Sequence, residues 1–445
     1  MRATLRLPWM MLCVVAQAGC SSSTPDTPPT TVEFKDAATD ELASPDAQDT
    51  DGQIPEAEAG PVPEQHGPMF VARAASGEFA SFALEDAIVA ADGAIELPQG
   101  AGKQGTDPYG SKGWNGGNYY NGGAYRFGLA RSVEWTSASA FDEVVPSFEA
   151  TTPAGSWIEI DLAVRSGGAW SKDYVLGIWA SSTDTVQRHS VDGQDDATAA
   201  VRTDTLALKS KGDALRLTVQ LFAAEPNAVP RLRALTAMVT DKAAQQPADS
   251  HTPAARGKIL DVPGRSQLAY PEGGVWCSPT SSTMLMLYWG AKLGNAALDV
   301  KVPDTAAGVY DWVYDGTGNW PFNTAHISSM GDGLLHGMIS RVSSFDQIER
   351  LIAADIPVAI SISFSGGALT GAPGASTDGH LIVVRGFTEQ GDVVCNDPWF
   401  STDGTVQVTY KRAELESAWS HSRRTTYVAW PVGSALPNDP LGALR

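Results

Sequence analysis

Cysteine is scarce in this 445-residue chain, which contains only Cys13, Cys20, Cys277 and Cys395. The first two fall in an N-terminal segment of the export type, so the rest of the chain has two cysteines. Two cysteines do not make the disulfide framework on which small secreted domains depend. A Cys277–Cys395 disulfide is one open alternative, and a free thiol with a chemical role is the other.

Long apolar runs are also absent, and no stretch reaches the roughly 18 residues that a membrane-spanning helix needs. The apolar stretch 7–18 follows Arg2 and Arg6 and has the length of a signal-peptide core. It leads into AQAGC, which resembles a bacterial lipoprotein signal but also fits ordinary signal cleavage. We therefore assign residues 1–20 to a signal peptide, with Cys20 as the lipidation residue. This predicts an exported protein that is either anchored in the cell envelope or secreted.

Basic residues are few, with 31 Lys and Arg against 51 Asp and Glu, for a formal charge of −20. No basic run offsets this balance, which argues against nucleic acids and anionic lipid surfaces as partners. Residues 21–68 are rich in Pro, Thr, Ala and acids and nearly lack aromatic side chains. This composition predicts a disordered acidic tether.

Residues 69–240 contain short alternating segments separated by turn residues, such as WIEIDLAV at 157–164 and YVLGIW at 174–179. Many short strands with few helical patterns predict an all-β sandwich of the jelly-roll type. Trp170 and Trp179 leave open a sugar-binding platform, although aromatic side chains on strands more often belong to a core. A glycan or protein at the cell surface is therefore an open partner for this domain.

A second domain follows a linker at residues 241–257, which is rich in Ala, Gln and Pro. The domain extends over residues 258–432 and mixes helical and strand patterns, which predicts an α+β fold. Residues 433–445 form a C-terminal tail. The chain is thus predicted to be multidomain.

One cysteine of the second domain lies at a predicted helix start. Segment 276–281, WCSPTS, precedes the apolar run MLMLYW. Ser278 is a suitable N-cap and Pro279 suits the first helical turn. Cys277 is therefore expected just outside a helix N-terminus, where the unpaired N–H groups favour the nucleophilic thiolate.

A base and a group to orient it are predicted from a downstream hairpin. Two apolar segments flank the polar turn TEQG at 388–391, which indicates antiparallel pairing. With this four-residue loop Asp397 lies opposite Ile382, so that His380 and Asp397 share a face. Singly, His380 is explained as a capped residue at a strand start and Asp397 as a turn residue. Together with Cys277 they form a nucleophile, a base and an orienting carboxylate.

Residues 262–430 resemble the papain-like cysteine peptidases, in the branch similar to the double-glycine leader peptidases that process bacteriocins. The matching segments are VPGRSQ at 262–267, WCSPTS at 276–281, GH at 379–380 and NDP at 396–398. The resemblance implies that Cys277 is the nucleophile, His380 the general base, Asp397 its orienter and Gln267 an oxyanion donor. It implies neither a cofactor nor a metal site.

Four further residues are candidates for a substrate groove, namely Trp276, Trp320, Phe322 and Asn323. Asn323 is also a candidate N-cap for a short helix that ends at Gly331. The glycine-rich loop 366–374, which precedes His380, is expected to cover the site.

The expected activity is hydrolysis of peptide or isopeptide bonds of a protein substrate through a thioester intermediate. Two alternatives stay open. One is an amidase or acyltransferase that acts on the peptide crosslinks of the cell wall. The other is a non-catalytic surface lipoprotein that binds a glycan or a protein.

Overall fold

The computed structural model describes residues 67–108, 119–244 and 255–445. The predicted signal peptide, Cys20 and nearly all of the predicted tether lie outside these residues, as does most of the linker. Within the described part of the chain, no helix is long and apolar enough to cross a membrane.

The first domain is built from antiparallel strands with short 3-10 turns. The strands are β1 (Met69–Arg73), β2 (Ala83–Glu85), β3 (Ile88–Val89), β4 (Ile95–Glu96), β5 (Lys103–Thr106), β6 (Ala124–Arg131), β7 (Trp135–Thr151), β8 (Ser156–Ser166), β9 (Ala169–Trp170), β10 (Tyr174–Trp179), β11 (Ala199–Arg202), β12 (Thr205–Ala223) and β13 (Arg231–Thr240).

The long strands β7 and β12 connect the parts of this sheet. The strand order is β10-β8-β12-β7-β13-β4-β3, and β12 also pairs with β6 and β11. Alternate residues of β12, namely Leu215, Leu217, Val219 and Leu221, are fully buried, as expected for one face of a strand on a core. The predicted β-rich domain is therefore observed, as one continuous branched sheet. The jelly-roll strand order stays a prediction.

The second domain combines helices with one antiparallel sheet. The helices are α1 (Cys277–Leu293), α2 (Val302–Val309), α3 (Trp320–Ser329), α4 (Phe345–Ala353) and α5 (Arg412–Ser420), and the strands are β14 (Leu335–Arg341), β15 (Val358–Phe364), β16 (Thr377–Phe387), β17 (Val393–Asn396), β18 (Gln407–Tyr410) and β19 (Thr425–Pro431). The sheet order is β14-β19-β15-β16-β17-β18. Every residue of α1 from Cys277 to Gly290 is buried, which marks it as the central helix of the domain.

The two domains share buried apolar surface. Phe322 and Ala325 of α3 belong to the hydrophobic core of the first domain, and Met69 and Val145 belong to that of the second. Trp179 is fully buried and its ring centroid lies 5.3 Å from that of Phe322. The tentative assignment of Trp179 to a sugar platform is therefore wrong, because its ring is part of the interface between the domains.

Buried polar contacts accompany this apolar interface. Arg341 of β14 donates to a carboxylate oxygen of Glu143 in β7 at 2.8 Å, and both side chains are buried. The backbone N–H of Ile339 donates to the Ser147 hydroxyl at 2.8 Å. Glu143 also pairs with Lys242 and Arg423, each at 2.9 Å, so that loss of Glu143 would leave the buried charge of Arg341 uncompensated. The interface is thus specific as well as apolar.

Trp170, the other aromatic candidate of the first domain, remains partly exposed. The guanidinium of Arg216 lies 4.0 Å from the centre of its ring, within the range of a cation–π contact. One face of this ring is therefore covered by Arg216.

The C-terminal tail packs against the second domain. Asp439 Oδ2 accepts hydrogen bonds from Gln347 Nε2 at 2.9 Å and from the backbone N–H groups of Ala443 and Leu444 at 2.8 and 3.0 Å. Ala443 and Leu444 are buried. A cavity of about 670 Å³ lies beside the tail, and none of Cys277, His380, Asp397 and Gln267 lines it.

Candidate active site

Cys277 is the first residue of α1 rather than the residue before it. Trp276 is the N-cap and makes no side-chain capping bond; the first intrahelical hydrogen bond joins Thr280 N to Trp276 O at 3.0 Å. The prediction that Ser278 is the N-cap is therefore wrong, because a 3-10 turn at Gly273–Val275 leads directly into the helix. This position favours the thiolate form of Cys277, because its sulfur lies within the first turn of α1, at the positive end of the helix dipole.

Ser278 has a different partner. Its hydroxyl lies 2.9 Å from that of Tyr427 in β19, and both are buried. Burial is the main cause that raises the pKa of Tyr427 well above its ordinary value, and the charges of Asp204, Cys277 and Tyr314 add to it. The Tyr427 phenol is therefore a neutral group near Cys277.

His380 and Asp397 form a buried pair. His380 Nε2 lies 2.7 Å from Asp397 Oδ1, and each residue is 1% exposed. Asp397 also accepts from Trp399 N at 2.9 Å and from the Tyr410 hydroxyl at 2.6 Å. Burial opposes the charge on Asp397, but His380, Tyr410 and Trp399 together hold the pKa of this carboxyl below its ordinary value. The carboxylate is thus ionised and acts as an acceptor.

The protonation of His380 follows from this contact. A carboxylate only accepts, so the Nε2 atom of His380 carries the hydrogen. The other ring nitrogen, Nδ1, is buried and has no hydrogen-bond partner among the residues that the structure describes. In the neutral imidazole it holds a lone pair and can accept a proton.

The strand register that joins these residues is the predicted one. Val383 pairs with Asn396 and Val384 with Cys395. Continued by one residue, this register places Asp397 opposite Ile382. The turn is one residue longer than expected, and a bulge at Arg385 restores the register. The carbonyl of Arg385 accepts from Leu260 N at 2.7 Å, so the bulge is fixed by a neighbouring segment.

The first turn of α1 rests on β16 beside His380. The Ser281 hydroxyl donates to the carbonyl of Leu381 at 3.1 Å, and both groups are buried. Ser281 lies one turn after Cys277 on the same helix face, and Leu381 follows His380. The structure therefore brings the start of α1 to the part of β16 that carries His380.

Gln267 lies in the loop before Cys277 and is fully buried. Its backbone N–H donates to Pro398 O at 2.9 Å. Its side-chain Nε2 donates to the carbonyls of Gly273 and Gly274 at 3.0 and 2.9 Å. Carbonyls only accept, so this orientation of the amide is fixed. Both amide hydrogens therefore point to the loop in this structure.

Two of the four groove candidates are not at a surface. Phe322 and Asn323 are fully buried. Asn323 donates to the carbonyls of Thr317 and Asn319 at 2.9 and 2.8 Å, and it lies inside α3. The N-cap is Asn319, whose side chain accepts from Phe322 N, and the helix ends at Ser329 rather than at Gly331. The groove assignment of Phe322 and Asn323 is therefore wrong, because both belong to the interior.

Trp276 and Trp320, the other two candidates, are partly exposed. The ring of Trp276 lies 6.0 Å from that of Tyr270. The backbone N–H of Trp320 donates to Asp204 Oδ2 of the first domain at 2.7 Å. Desolvation of the buried Asp204 raises its pKa to about 6.

Sequence reasoning missed Tyr410 and Trp399. The ring centroid of Trp399 lies 5.4 Å from that of His380, and a Cβ at Gly374 would lie 2.3 Å from the Trp399 ring. The glycine-rich loop thus rests on Trp399 where a larger residue would not fit. An aromatic residue two positions after Asp397 was a usable signal for Trp399. Tyr410 had none, because only the pairing of β18 with β17 places it there.

The remaining features of the site concern its two cysteines and the possibility of a metal ion. Cys277 and Cys395 are not joined by a disulfide in this structure. Burial raises the pKa of the Cys395 thiol well above its ordinary value, and the charge of Asp397 adds to this. Within the described ranges, no group of three or more His, Cys, Asp or Glu residues is placed to hold a metal ion.

Comparison with known proteins gives two family matches. Residues 70–240 match the model of the peptidase C39 N-terminal domain, and residues 259–427 match that of the peptidase C39-like family. No curated protein matches the chain.

Two solved structures are similar to parts of the chain. One is a C39-like peptidase from Bacillus anthracis, with 18% identity over 39% of this chain and 97% of that one, and a TM-score of 0.27. The other is TmCBM61 in complex with beta-1,4-galactotriose, with 8% identity over 40% of this chain and 91% of that one, and a TM-score of 0.17. Neither TM-score is high enough to support an argument. Residues 259–427 thus belong to the peptidase C39-like family of papain-like cysteine peptidases, and residues 70–240 to the family of peptidase C39 N-terminal domains.

Proposed function

We propose that this protein hydrolyses peptide or isopeptide bonds with Cys277 as nucleophile, His380 as general base and Asp397 as its orienter. The observation that supports this proposal best is the buried His380–Asp397 pair. Within the described part of the chain, the second ring nitrogen of His380 has no hydrogen-bond partner. This pair lies beside a helix that begins with a cysteine. A nucleophile, a base and an orienting group are what acyl transfer requires.

In the proposed mechanism, the Cys277 thiol gives its proton to Nδ1 of His380. The thiolate attacks the carbonyl carbon of the substrate, and the carbonyl oxygen becomes an oxyanion. As the C–N bond breaks, the imidazolium of His380 gives its proton to the leaving amine, which leaves a thioester on Cys277. Water then attacks the thioester with His380 as base, and the acid and the free thiol are released. Asp397 stabilises the imidazolium throughout.

The oxyanion needs donors close to Cys277. The backbone N–H groups at the start of α1 are suited to this role, because the helix dipole favours negative charge there. Gln267, the expected donor, also donates to the carbonyls of Gly273 and Gly274. We therefore give Gln267 a second role, which is to shape the loop 267–276.

The test is selective alkylation of the intact protein with iodoacetamide. We expect rapid labelling of Cys277 and slow labelling of Cys395, whose thiol is buried and has a raised pKa. Cys277→Ala should abolish both the labelling and the cleavage of peptides, whereas Cys395→Ala should retain both. Preferential labelling of Cys395, or an active Cys277→Ala variant, contradicts the proposal.

The same protein should be offered a peptide pool and purified peptidoglycan, with mass analysis of the products. Cleavage in the peptide pool supports the peptidase. Products from peptidoglycan alone support the amidase alternative, and no products together with no selective labelling supports the binding protein.

Export is a proposal that rests on the sequence alone. The N-terminal segment with its apolar core and Cys20 supports processing at that residue. The mass of the mature N-terminal peptide from a bacterial host distinguishes a lipidated Cys20 from ordinary cleavage and from an unprocessed chain.

A further inference from the structure

A fully buried carboxylate, that of Asp311 in the second domain, lies where the two domains meet. Its Oδ1 accepts from the backbone N–H and the hydroxyl of Ser190, a first-domain residue, at 2.9 and 3.2 Å. Its Oδ2 accepts from Asn319 Nδ2 at 2.9 Å. Removing one member of such a buried set leaves the others unpaired, which is costly. This carboxylate therefore joins the first domain to the segment that leads into α3.

The same carboxylate closes the loop that precedes α3. Oδ1 also accepts from two backbone N–H groups within this loop, at 3.0 and 3.1 Å, and the backbone of Asp311 exchanges hydrogen bonds with that of Gly316 at 2.8 and 3.2 Å. The next residue, Thr317, donates its hydroxyl to Val275 O at 3.3 Å. Val275 lies two residues before Cys277, so the closed loop contacts the segment that carries the proposed nucleophile.

Asn319 extends the contact into the peptidase domain. Its side-chain oxygen accepts from Phe322 N at 3.1 Å, and its backbone carbonyl accepts from Asn323 Nδ2 at 2.8 Å. The side-chain oxygen of Asn323 accepts from the hydroxyl of Ser282 in α1 at 3.1 Å. These partners fix the orientation of both amides, because carbonyl and carboxylate oxygens only accept. A continuous set of buried hydrogen bonds thus connects Ser190 with α1.

Two adjacent residues of α1 contact different neighbours. Ser281 donates to a carbonyl of β16 next to His380, whereas Ser282 donates to α3. The position of Cys277 relative to His380 therefore depends on α3 as well as on β16. Misplacing reacting groups by about 1 Å lowers a rate by about 100-fold, so a contact that fixes α3 also affects the chemistry.

The first domain holds Ser190 in place. The backbone groups of His189, the preceding residue, exchange hydrogen bonds with those of Ile178 in β10 at 3.0 and 2.9 Å. The guanidinium of Arg188 is buried and donates to two carbonyls of the first domain at 2.8 and 3.0 Å and to Ala307 O of α2 at 2.8 Å. The segment that contacts Asp311 is thus anchored to the strands of its own domain.

We propose that Asp311 is a positioning residue of the active site, through which the first domain holds Cys277 in the correct place relative to His380. This role rests on the proposed peptidase function. The first domain is then a part of the catalytic unit rather than a separate binding module. The polar segment 316–323, which includes Asn319 and Asn323, provides the internal link between the domains.

The test exchanges the two groups of the Asp311–Asn319 contact in the full-length protein. Asp311→Asn keeps an oxygen for the N–H groups around Oδ1, but it turns an amide NH2 toward that of Asn319, so that two donors face each other. Adding Asn319→Asp restores one donor and one acceptor with nearly the same shape. We expect Asp311→Asn to lower kcat at least about tenfold with KM unchanged, and the double variant to recover kcat to within about threefold of wild type. An unchanged kcat in Asp311→Asn, or no recovery in the double variant, overturns the proposal.

A milder pair of variants keeps the test decisive if Asp311→Asn does not fold. Ser190→Ala removes the hydroxyl that donates to Asp311. Ser147→Ala is the matched control, because Ser147 is a first-domain serine of the same 1% exposure whose hydroxyl accepts from Ile339 N of β14 at 2.8 Å. Loss of one hydrogen bond to the positioning residue should lower kcat by about threefold to tenfold, and the control should leave it unchanged. Equal kcat values for the two variants contradict the positioning role.

Alkylation of Cys277 with iodoacetamide separates this role from the proposed function. In Asp311→Asn we expect the rate at pH 6, relative to that at pH 9, to fall about tenfold, because a displaced His380 no longer takes the thiol proton. The double variant should restore this ratio, which a loss of stability alone does not change. If wild type labels Cys277 selectively but the ratio and kcat are the same in Asp311→Asn, the positioning role is wrong and the peptidase stands. If wild-type Cys277 reacts no faster than Cys395 and no peptide is cleaved, the peptidase is wrong and the positioning role falls with it.

Discussion

The Tyr410 hydroxyl donates a hydrogen bond to Oδ2 of Asp397 at 2.6 Å, while Oδ1 of the same carboxylate faces His380. Trp399 N also donates to Oδ1. Each oxygen therefore has its own partners, and the carboxylate cannot rotate without breaking buried hydrogen bonds. This arrangement fixes the direction in which His380 points.

Substitution of Asp397 separates orientation from charge. Asp397→Ala should lower kcat/KM by about 100-fold or more, because the base is no longer held in place. Asp397→Asn should cost less, because the N–H of Trp399 requires an acceptor and so turns the amide oxygen toward His380. Steady-state kinetics on one peptide checks both variants. Equal losses of kcat/KM in the two variants would show that His380 needs the negative charge of Asp397, and that a neutral acceptor at the same position does not replace it.

Tyr410→Phe should shift the acid side of the pH–activity profile to higher pH. The hydroxyl of Tyr410 is one of the groups that hold the pKa of Asp397 low against burial, so its removal raises that pKa. The active form needs an ionised Asp397, and activity is then lost at a higher pH as the solution is acidified. A kcat/KM profile of both proteins measures this. Tyr288→Phe, which removes a distant hydroxyl, is the control, and an unshifted acid limb for Tyr410→Phe contradicts the expectation.

Gln267→Ala tests the shape of the loop before Cys277. The change removes the hydrogen bonds to the carbonyls of Gly273 and Gly274, so we expect the free energy of unfolding to fall by about 2 kcal/mol. Activity should fall as well, because the loop leads into Cys277. Calorimetry and kinetics on the same sample give both quantities. A large loss of kcat with an unchanged Tm would instead assign Gln267 to the oxyanion alone.

Asp204 should make stability depend on pH. Its folded-state pKa is raised to about 6, so the folded protein binds the proton more strongly than the unfolded chain. This contribution is present below the ordinary pKa of about 4 and is lost as pH rises through about 6, at a cost of about 3 kcal/mol. Asp204→Asn keeps an acceptor for Trp320 N and has no charge. We therefore expect it to match wild type near pH 4 and to be more stable at pH 7.

Thermal unfolding of wild type and Asp204→Asn at pH 4 to 8 measures this difference. Asp195→Asn is a suitable control, because the side chain of Asp195 is 68% exposed. A constant difference in Tm across this range would show that Asp204 does not titrate within it.

Asp439→Ala should loosen the C-terminal tail. The carboxylate accepts from Gln347 and from three backbone N–H groups of the tail, and Arg350 lies 3.5 Å from Oδ1. Losing a buried charged acceptor with these partners costs about 2 to 4 kcal/mol in the free energy of unfolding. Urea unfolding measures it, with Asp299→Ala at an exposed position as the control. Equal midpoints for the two variants would mean that the tail adds little to stability.

The local geometry around the hairpin was predictable because it depends on periodicity. Alternation of side chains along a strand, with a turn between, is enough to set His380 and Asp397 on one face. The bulge at Arg385 was not predictable, since its cause is the pairing with Leu260, which lies 125 residues away. The error of two residues at the start of α1, where the N-cap is Trp276 instead of Ser278, has a similar origin, because the preceding 3-10 turn is not marked by a capping side chain.

The sequence could not show which residues form the buried interface between the two domains. Aromatic and amide residues before and within α3 are equally compatible with a groove and with a core, and the choice depends on what covers them. In this protein the first domain covers Phe322, whose ring meets that of Trp179. The same limit applies to Gln267, because the sequence identifies an amide but not the carbonyls that receive its hydrogens.

The contact between Asp204 and the start of α3 has a consequence for evolution. A helix of the peptidase domain depends on a carboxylate of the other domain to accept from its first N–H, and Arg341 depends on Glu143 for its counter-charge. A recombination event that replaced one domain would leave these groups buried and unmatched. Natural variation at Asp204 and Glu143 should therefore be accompanied by changes across the boundary, so that the two domains are inherited as a pair.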